Sequence, residues 1–117
     1  MNKIILLGYL IKDPELRQNE NKDKVYTRFT IAVQRNFKMP DGTREADFIN
    51  IVVWGKKAEV ICKYTQKGSI ITISGRLRTG SYEGKDGIKR YIAEVVAEDF
   101  KFISTKRKNQ DYVNESC

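Results

Sequence analysis

Asp47-Phe48-Ile49-Asn50-Ile51-Val52-Val53-Trp54, DFINIVVW, reads as a strand that is apolar on both faces. Strand side chains alternate, so Ile49, Ile51 and Val53 point one way and Phe48, Asn50, Val52 and Trp54 the other. The aliphatic set marks one face as core. The second face has two readings: another packed surface, the ordinary fate of large aromatics, or an open platform for flat ligands. Its surroundings bear on the second. Six residues at ~3.3 Å each separate Phe48 from Trp54 by ~20 Å, a span of several nucleotides in an extended strand. Lys56 and Lys57 follow Trp54, Arg35 and Lys38 flank Phe37, and Arg76 and Arg78 share a face that Tyr82 joins if its strand continues. Bases stack on flat rings for ~1 to 3 kcal/mol each whatever their identity, while Lys and Arg neutralise the phosphates between them. A duplex hides its base faces, so such a surface selects unpaired strands; stacking alone leaves RNA and DNA both open.

Working outward from this strand, residues 2–11 (NKIILLGYLI) are aliphatic on both faces, with Gly8 marking a bulge or a close backbone approach. The spacing predicts a strand covered on both sides. Residues 12–24 carry Pro14 and a non-periodic polar run, which reads as a turn and an exposed loop. From Val25, strict alternation places Val25, Thr27, Phe29, Ile31 and Val33 opposite Tyr26, Arg28, Thr30, Ala32 and Gln34. Pro40-Asp41-Gly42 then predicts a projecting hairpin turn. After Gly55, a helical face of Ala58, Ile61, Cys62 and Thr65 runs towards Gly68 as its stop. Residues 69–79 alternate again, GSYEGKDGIKRY reads as a hairpin tip, and RYIAEVVAEDFKFI as the returning strand.

Three strands, a short helix and a two-stranded hairpin predict an all-β fold with antiparallel pairing. The arrangement fits a five-stranded, partly open OB barrel with one short α-helix between strands 3 and 4; an SH3-like barrel is the alternative. Residues 1–104 form the one domain, and 105–117, lacking period and apolar mass, read as a disordered tail. The doubly apolar first strand predicts a homo-oligomer, since one side serves the barrel and the other can meet a second copy.

Composition narrows the chemistry. Twenty-two Lys and Arg against 15 Asp and Glu give a formal charge of +7, which suits a polyanionic partner. With no histidine, and with Cys62 and Cys117 distant in sequence, neither a zinc site, a disulfide framework nor a His-dependent nucleophile is expected. Cys62 reads as a packed small hydrophobe. An enzyme would have to gather Asp13, Glu15, Asp41, Glu45 and Asp47 around magnesium, although turns and hairpins ordinarily leave carboxylates solvated. No catalysis, cofactor or metal is expected. No apolar run reaches the ~18 residues of a membrane span and MNKIILLGYL has no signal-peptide cleavage pattern, so a soluble cytoplasmic protein without membrane contact is expected.

NKIILLGYLIKDPEL, FTIAVQRNFK, ADFINIVVWGKKAEV, YTQKGSIITISGRLRTGSY and RYIAEVVAEDF, in this order, closely resemble the bacterial and mitochondrial single-stranded DNA-binding protein family over residues 1 to about 104. The resemblance implies an OB fold, usually a homotetramer, that coats single-stranded DNA in replication, recombination and repair, here as a bacterial, nucleoid-associated protein. It implies base stacking on Phe37, Phe48, Trp54 and Tyr82, and phosphate contacts at Lys56 and Lys67. Arg35, Arg76 and Arg78 join the phosphate set from the face argument. Tyr64 reads as packing or a subunit contact, and a family-related assembly adaptor would use fewer rings than these four. Two departures stand out. Gly80 and Ser81 precede Tyr82 where many members are basic, which shifts weight to Lys85, Lys89 and Arg90. The tail ends at DYVNESC without the family's acidic, apolar tip, so tip-mediated recruitment of replication and repair proteins is left unsupported.

Overall fold

The computed structural model describes residues 1–36 and 38–104; Phe37 and the tail at 105–117 lie outside the described residues. Six strands and one helix follow in the order β1 (Ile4–Leu10), β2 (Arg17–Gln18), β3 (Val25–Gln34), β4 (Ala46–Trp54), α1 (Lys56–Tyr64), β5 (Ile70–Glu83) and β6 (Lys89–Ser104). They hydrogen-bond as β1-β5-β6-β4-β3-β2, and β1 also pairs with β3. Five strands therefore close a ring, the predicted OB barrel, and β2 lies against the edge of β3. Closure is narrow at two seams, and β1 meets β3 through only Tyr9↔Ala32 and Leu10↔Ile31. β4 meets β6 in parallel through only Ile51↔Val95 and Val52↔Val96, whereas β3 and β4 pair antiparallel from Tyr26↔Trp54 to Gln34↔Ala46.

Alternation in β3 and β4 buries what it predicts. Phe29, Ile31, Ile51 and Val53 join Leu10, Ile71, Ile73, Val95 and Ala97 in the core, and Ala58 and Ile61 of α1 pack onto it. Two glycines let backbones approach where a side chain would not fit. A Cβ on Gly8 would lie 2.6 Å from the Ala32 carbonyl oxygen, at the corner where β1 passes from β5 to β3. One on Gly75 would lie 2.1 Å from the Val96 carbonyl oxygen, beside a register shift between β5 and β6.

The structure departs from the sequence reading in four places. Arg17 and Gln18, read as loop, pair with Tyr26 and Val25 because the Asn19–Lys24 turn folds the chain back: Asn19 Oδ1 accepts from the Asp23 and Lys24 amides at 3.1 and 3.3 Å. The predicted helix placement between strands 3 and 4 therefore becomes β4 and β5 once this short strand is numbered. The helix stops at Thr65, not Gly68, since Thr65 is extended and its amide and hydroxyl both donate to the Ile61 carbonyl, at 3.0 and 2.7 Å. Gly68, at φ 91°, instead turns the chain into β5 and donates to Leu10 O at 2.8 Å. The hairpin read as a tip from Gly80 to Tyr91 is mostly strand, paired to Glu83↔Lys89, leaving residues 84–88 as the turn. Lastly, β1 is covered on one side only in the single chain: Ile5 and Leu7 are 67% and 57% exposed.

Gly75→Ala is expected to lose ~2 to 3 kcal/mol in urea unfolding, because the new methyl meets backbone that cannot retreat. Gly80→Ala, whose Cβ would meet only Ile92 side-chain carbons at 3.7 and 3.8 Å, should stay within ~0.5 kcal/mol.

Candidate nucleic-acid interface

The outward residues of four strands form one continuous face. Register places Tyr26, Arg28, Thr30 and Ala32 of β3 opposite Trp54, Val52, Asn50 and Phe48 of β4. Across the parallel seam come Val96 and Glu94 of β6, and beyond them Arg76 and Arg78 of β5. Phe48 is 66% exposed and Trp54 37% exposed, so both rings lie outside the core. The packed reading of DFINIVVW applies to Val52 alone, which is fully buried on this face beside Arg28 and Val96. Phe48 rims an apolar groove lined by Ile4, Leu6, Ile49, Leu77 and Val95, where β4 and the β5–β6 hairpin separate.

Trp54 is braced from one side. The Tyr26 ring sits 4.9 Å from it at an interplanar angle of 37°, and the Arg28 guanidinium lies 5.3 Å from the Tyr26 centroid. Such ring and cation contacts contribute about 0.5 to 1.5 kcal/mol each and limit how far the indole can turn. Sequence reading put Tyr26 and Arg28 on the outward face but gave them no part in the site. Their signal was the alternation of β3; what it lacked was the β3–β4 register that brings Tyr26 against Trp54.

The predicted cations occupy different settings. Arg78 is paired with Glu94, and Arg28 Nε donates to the same carboxylate at 3.3 Å. Burial pushes the Glu94 carboxyl up, but the hydrogen bonds and charges of Arg78 and Arg28 outweigh it and hold it below the usual glutamate range. Arg76 Nε lies 3.7 Å from Glu98. Arg35 donates to Asp47 through Nε and Nη2, at 3.2 and 2.9 Å, and to Glu45 through Nη1 at 2.8 Å. Bonding to Arg35 holds the Asp47 carboxyl below its usual range. Arg35 thus braces the base of the 35–45 hairpin, where its amide also donates to Glu45 O. Lys56 is exposed at the start of α1 and lines an open recess with Trp54 and Lys24. Lys67 lies past the far end of that helix, about 14 Å away at 1.5 Å per residue, and its amide donates to Asp13 Oδ1 at 2.7 Å. Tyr82 is exposed on the β5–β6 hairpin opposite Arg90. Phe37 lies outside the described residues.

The carboxylates weighed for metal chemistry are dispersed among local partners. Asp13 accepts from the Lys67 amide, Glu15 pairs with Arg17, and Asp41 accepts from the Thr43 hydroxyl and amide. Glu45 and Asp47 both serve Arg35. Burial holds the Cys62 thiol above its usual range, as suits a packed side chain rather than a nucleophile.

Residues 1–103 match the model of the single-strand binding protein family. The chain is 53% identical over 103 residues to Single-stranded DNA-binding protein 2 of Clostridium acetobutylicum, covering 88% of this chain and 77% of that one. It is 50% identical over 108 residues to the Single-stranded DNA-binding protein of Clostridium tetani, covering 92% and 74% respectively. Single-stranded DNA-binding protein 1 of Clostridium acetobutylicum is 44% identical over 108 residues, 92% of this chain and 98% of that one.

Glu94 yields a stability test with a definite sign. A carboxyl whose value falls on folding stabilises the native state above the unfolded glutamate range, and that contribution disappears as pH drops through the lowered native value. Discounted for two half-exposed arginines, it is about 1 kcal/mol at neutral pH. The melting temperature of Glu94→Gln should therefore lie below wild type at neutral pH, with the two converging on acidification below the ordinary glutamate range. A gap independent of pH would show that the pairing does not act through charge.

Proposed function

Because the chain belongs to the single-strand binding protein family, we propose that it binds single-stranded DNA on its outer sheet face, with no preference for base sequence. The observation that carries this reading is the pair of rings, Phe48 and Trp54, standing open on the face that the core does not use, with cations beside them. Bases stack on Phe48, Trp54 and Tyr82, with Phe37 as the fourth ring, and Tyr26 backs Trp54. Lys56, Arg76 and Arg78 take phosphates along this path, and Lys67 extends the path beyond α1. Arg35, its guanidinium held by Glu45 and Asp47, is the remaining phosphate contact we assign. Members of the family bind DNA without catalysis. The role is to coat and protect strands exposed in replication, recombination and repair, in the cytoplasm and on the nucleoid. No helix among the described residues is long and apolar enough to cross a membrane.

Assembly follows from β1. Ile5, Leu7 and Tyr9 project from the outer side of the sheet next to Thr72 and Ile70 of β5, an apolar strip with no cover in the single chain. A second copy of the same strip is a self-complementary partner, and a homotetramer is the assembly we assign.

Trp54 is the single tryptophan, so stacking reports directly. Oligo-dT should quench its emission to a stoichiometric end point, with affinity falling as salt rises at about −0.7 in log-log slope per phosphate neutralised. Phe48→Ala should weaken binding by ~1 to 3 kcal/mol. An emission unchanged by oligo-dT, with no gel shift, rules the reading out; equal affinity for oligo-U would move the ligand to RNA. For assembly, wild type should sediment as an oligomer at micromolar concentration and Leu7→Asp as a smaller species. A wild-type monomer under those conditions removes the assembly proposal.

A further inference from the structure

Glu94 is the one charged side chain among the described buried polar residues, and it lies on the face proposed to meet a polyanion. A carboxylate there opposes the ligand unless it has another part to play. Its two partners come from different strands, Arg28 lying 66 residues away on β3 and Arg78 16 residues away on β5. The cluster spans the seam between β4 and β6, with buried Val52 beside it. Its layering is uneven: the Glu94 side chain is only 11% exposed, while Arg28 and Arg78 are 52% and 42% exposed. An incoming phosphate therefore reaches the guanidiniums first and the carboxylate behind them second.

Resting on the single-strand-binding reading above, we propose that Glu94 is a built-in anion that shares Arg28 and Arg78 with the DNA phosphates and so limits how tightly the outer face holds a strand. Two guanidiniums and one carboxylate leave a net charge of +1 in the cluster. A phosphate bound there feels two attractive charges and one repulsive charge at close range, in a setting less screened than open solvent. A binder that coats exposed DNA must also be stripped from it, and an anion fixed within the site keeps each phosphate contact weak enough to exchange. Arg28 is thereby assigned a place in the phosphate path, and its cation also rests on the Tyr26 ring that braces Trp54.

The test is titration of the full chain with oligo-dT at several salt concentrations, read by Trp54 emission. Glu94→Gln should bind about tenfold more tightly than wild type, with a log-log salt slope steeper by about 0.7 as one further phosphate becomes fully engaged. Glu94→Leu, which leaves both half-exposed arginines able to turn to solvent, should behave alike and carries the test if the glutamine variant does not fold. Glu20→Gln, an equal charge change in the exposed turn before β3, should leave affinity and slope at wild-type values. Unchanged or weaker binding by the Glu94 variants overturns the proposal, as does equal tightening by Glu20→Gln, which would make the effect one of net charge. If wild type binds oligo-dT normally in those cases, only this inference falls; if wild type shows neither quenching nor a shift, the single-strand reading falls and takes this inference with it.

Discussion

Two cross-strand pairs, Ile51↔Val95 and Val52↔Val96, close the ring of strands between β4 and β6. Without that parallel contact, the barrel would be an open sheet in the order β6-β5-β1-β3-β4, with β6 and β4 as unpaired edges. With it, the side chains at the seam divide between two tasks. Ile51 and Val95 point inward to the core, and Val52 and Val96 point outward and seal the middle of the outer face. Only because the seam closes can one carboxylate on β6 reach arginines on both β3 and β5. Closure of the barrel wall and continuity of the outer face thus rest on the same short contact.

The face itself is chemically plain, and that suits its task. Flat rings and cations recognise what every nucleotide shares, a π-face and a phosphate, and the described face shows no array of matched donors and acceptors for reading one base against another. Its Thr30–Asn50 pair is satisfied internally, the hydroxyl donating to Asn50 Oδ1 at 3.0 Å. On the proposed reading, specificity for unpaired strands comes from exposure of the rings, and strength from how much cationic charge is left to the ligand. The ion pairs are therefore as informative as the aromatics, since Arg35, Arg76 and Arg78 are already engaged by carboxylates before a strand arrives.

Much of the barrel was legible in the sequence because its signals are local. The alternation from Val25 to Val33 and through DFINIVVW picks out the core residues Phe29, Ile31, Ile51 and Val53, though Ala32 and Val52 of the opposite set are buried too, and Pro40-Asp41-Gly42 forms the expected turn, with Gly42 at φ 90°. Two of the rings named by the family blocks, Phe48 and Trp54, are ones the alternation already turns outward. What escaped depends on partners distant in the chain. Whether Arg78 is free or paired turns on Glu94, and the bracing of Trp54 turns on a register set 28 residues earlier. The length of β5 was underestimated because Gly80 and Ser81 look like turn residues locally, whereas pairing with Ile92 and Tyr91 carries them into the ribbon. β2 is too short for any periodicity to announce it.

That ribbon has a mechanical side. Past the barrel wall, β5 and β6 support one another as a two-stranded arm that twists more readily than a closed sheet. Phe48 and Trp54 are mounted on the rigid cylinder, but Tyr82 rides on the compliant arm. Nucleobases in a flexible polymer do not arrive at even spacing, and on the proposed reading two rings on the barrel with a third on a two-stranded arm would absorb that unevenness without disturbing the interior.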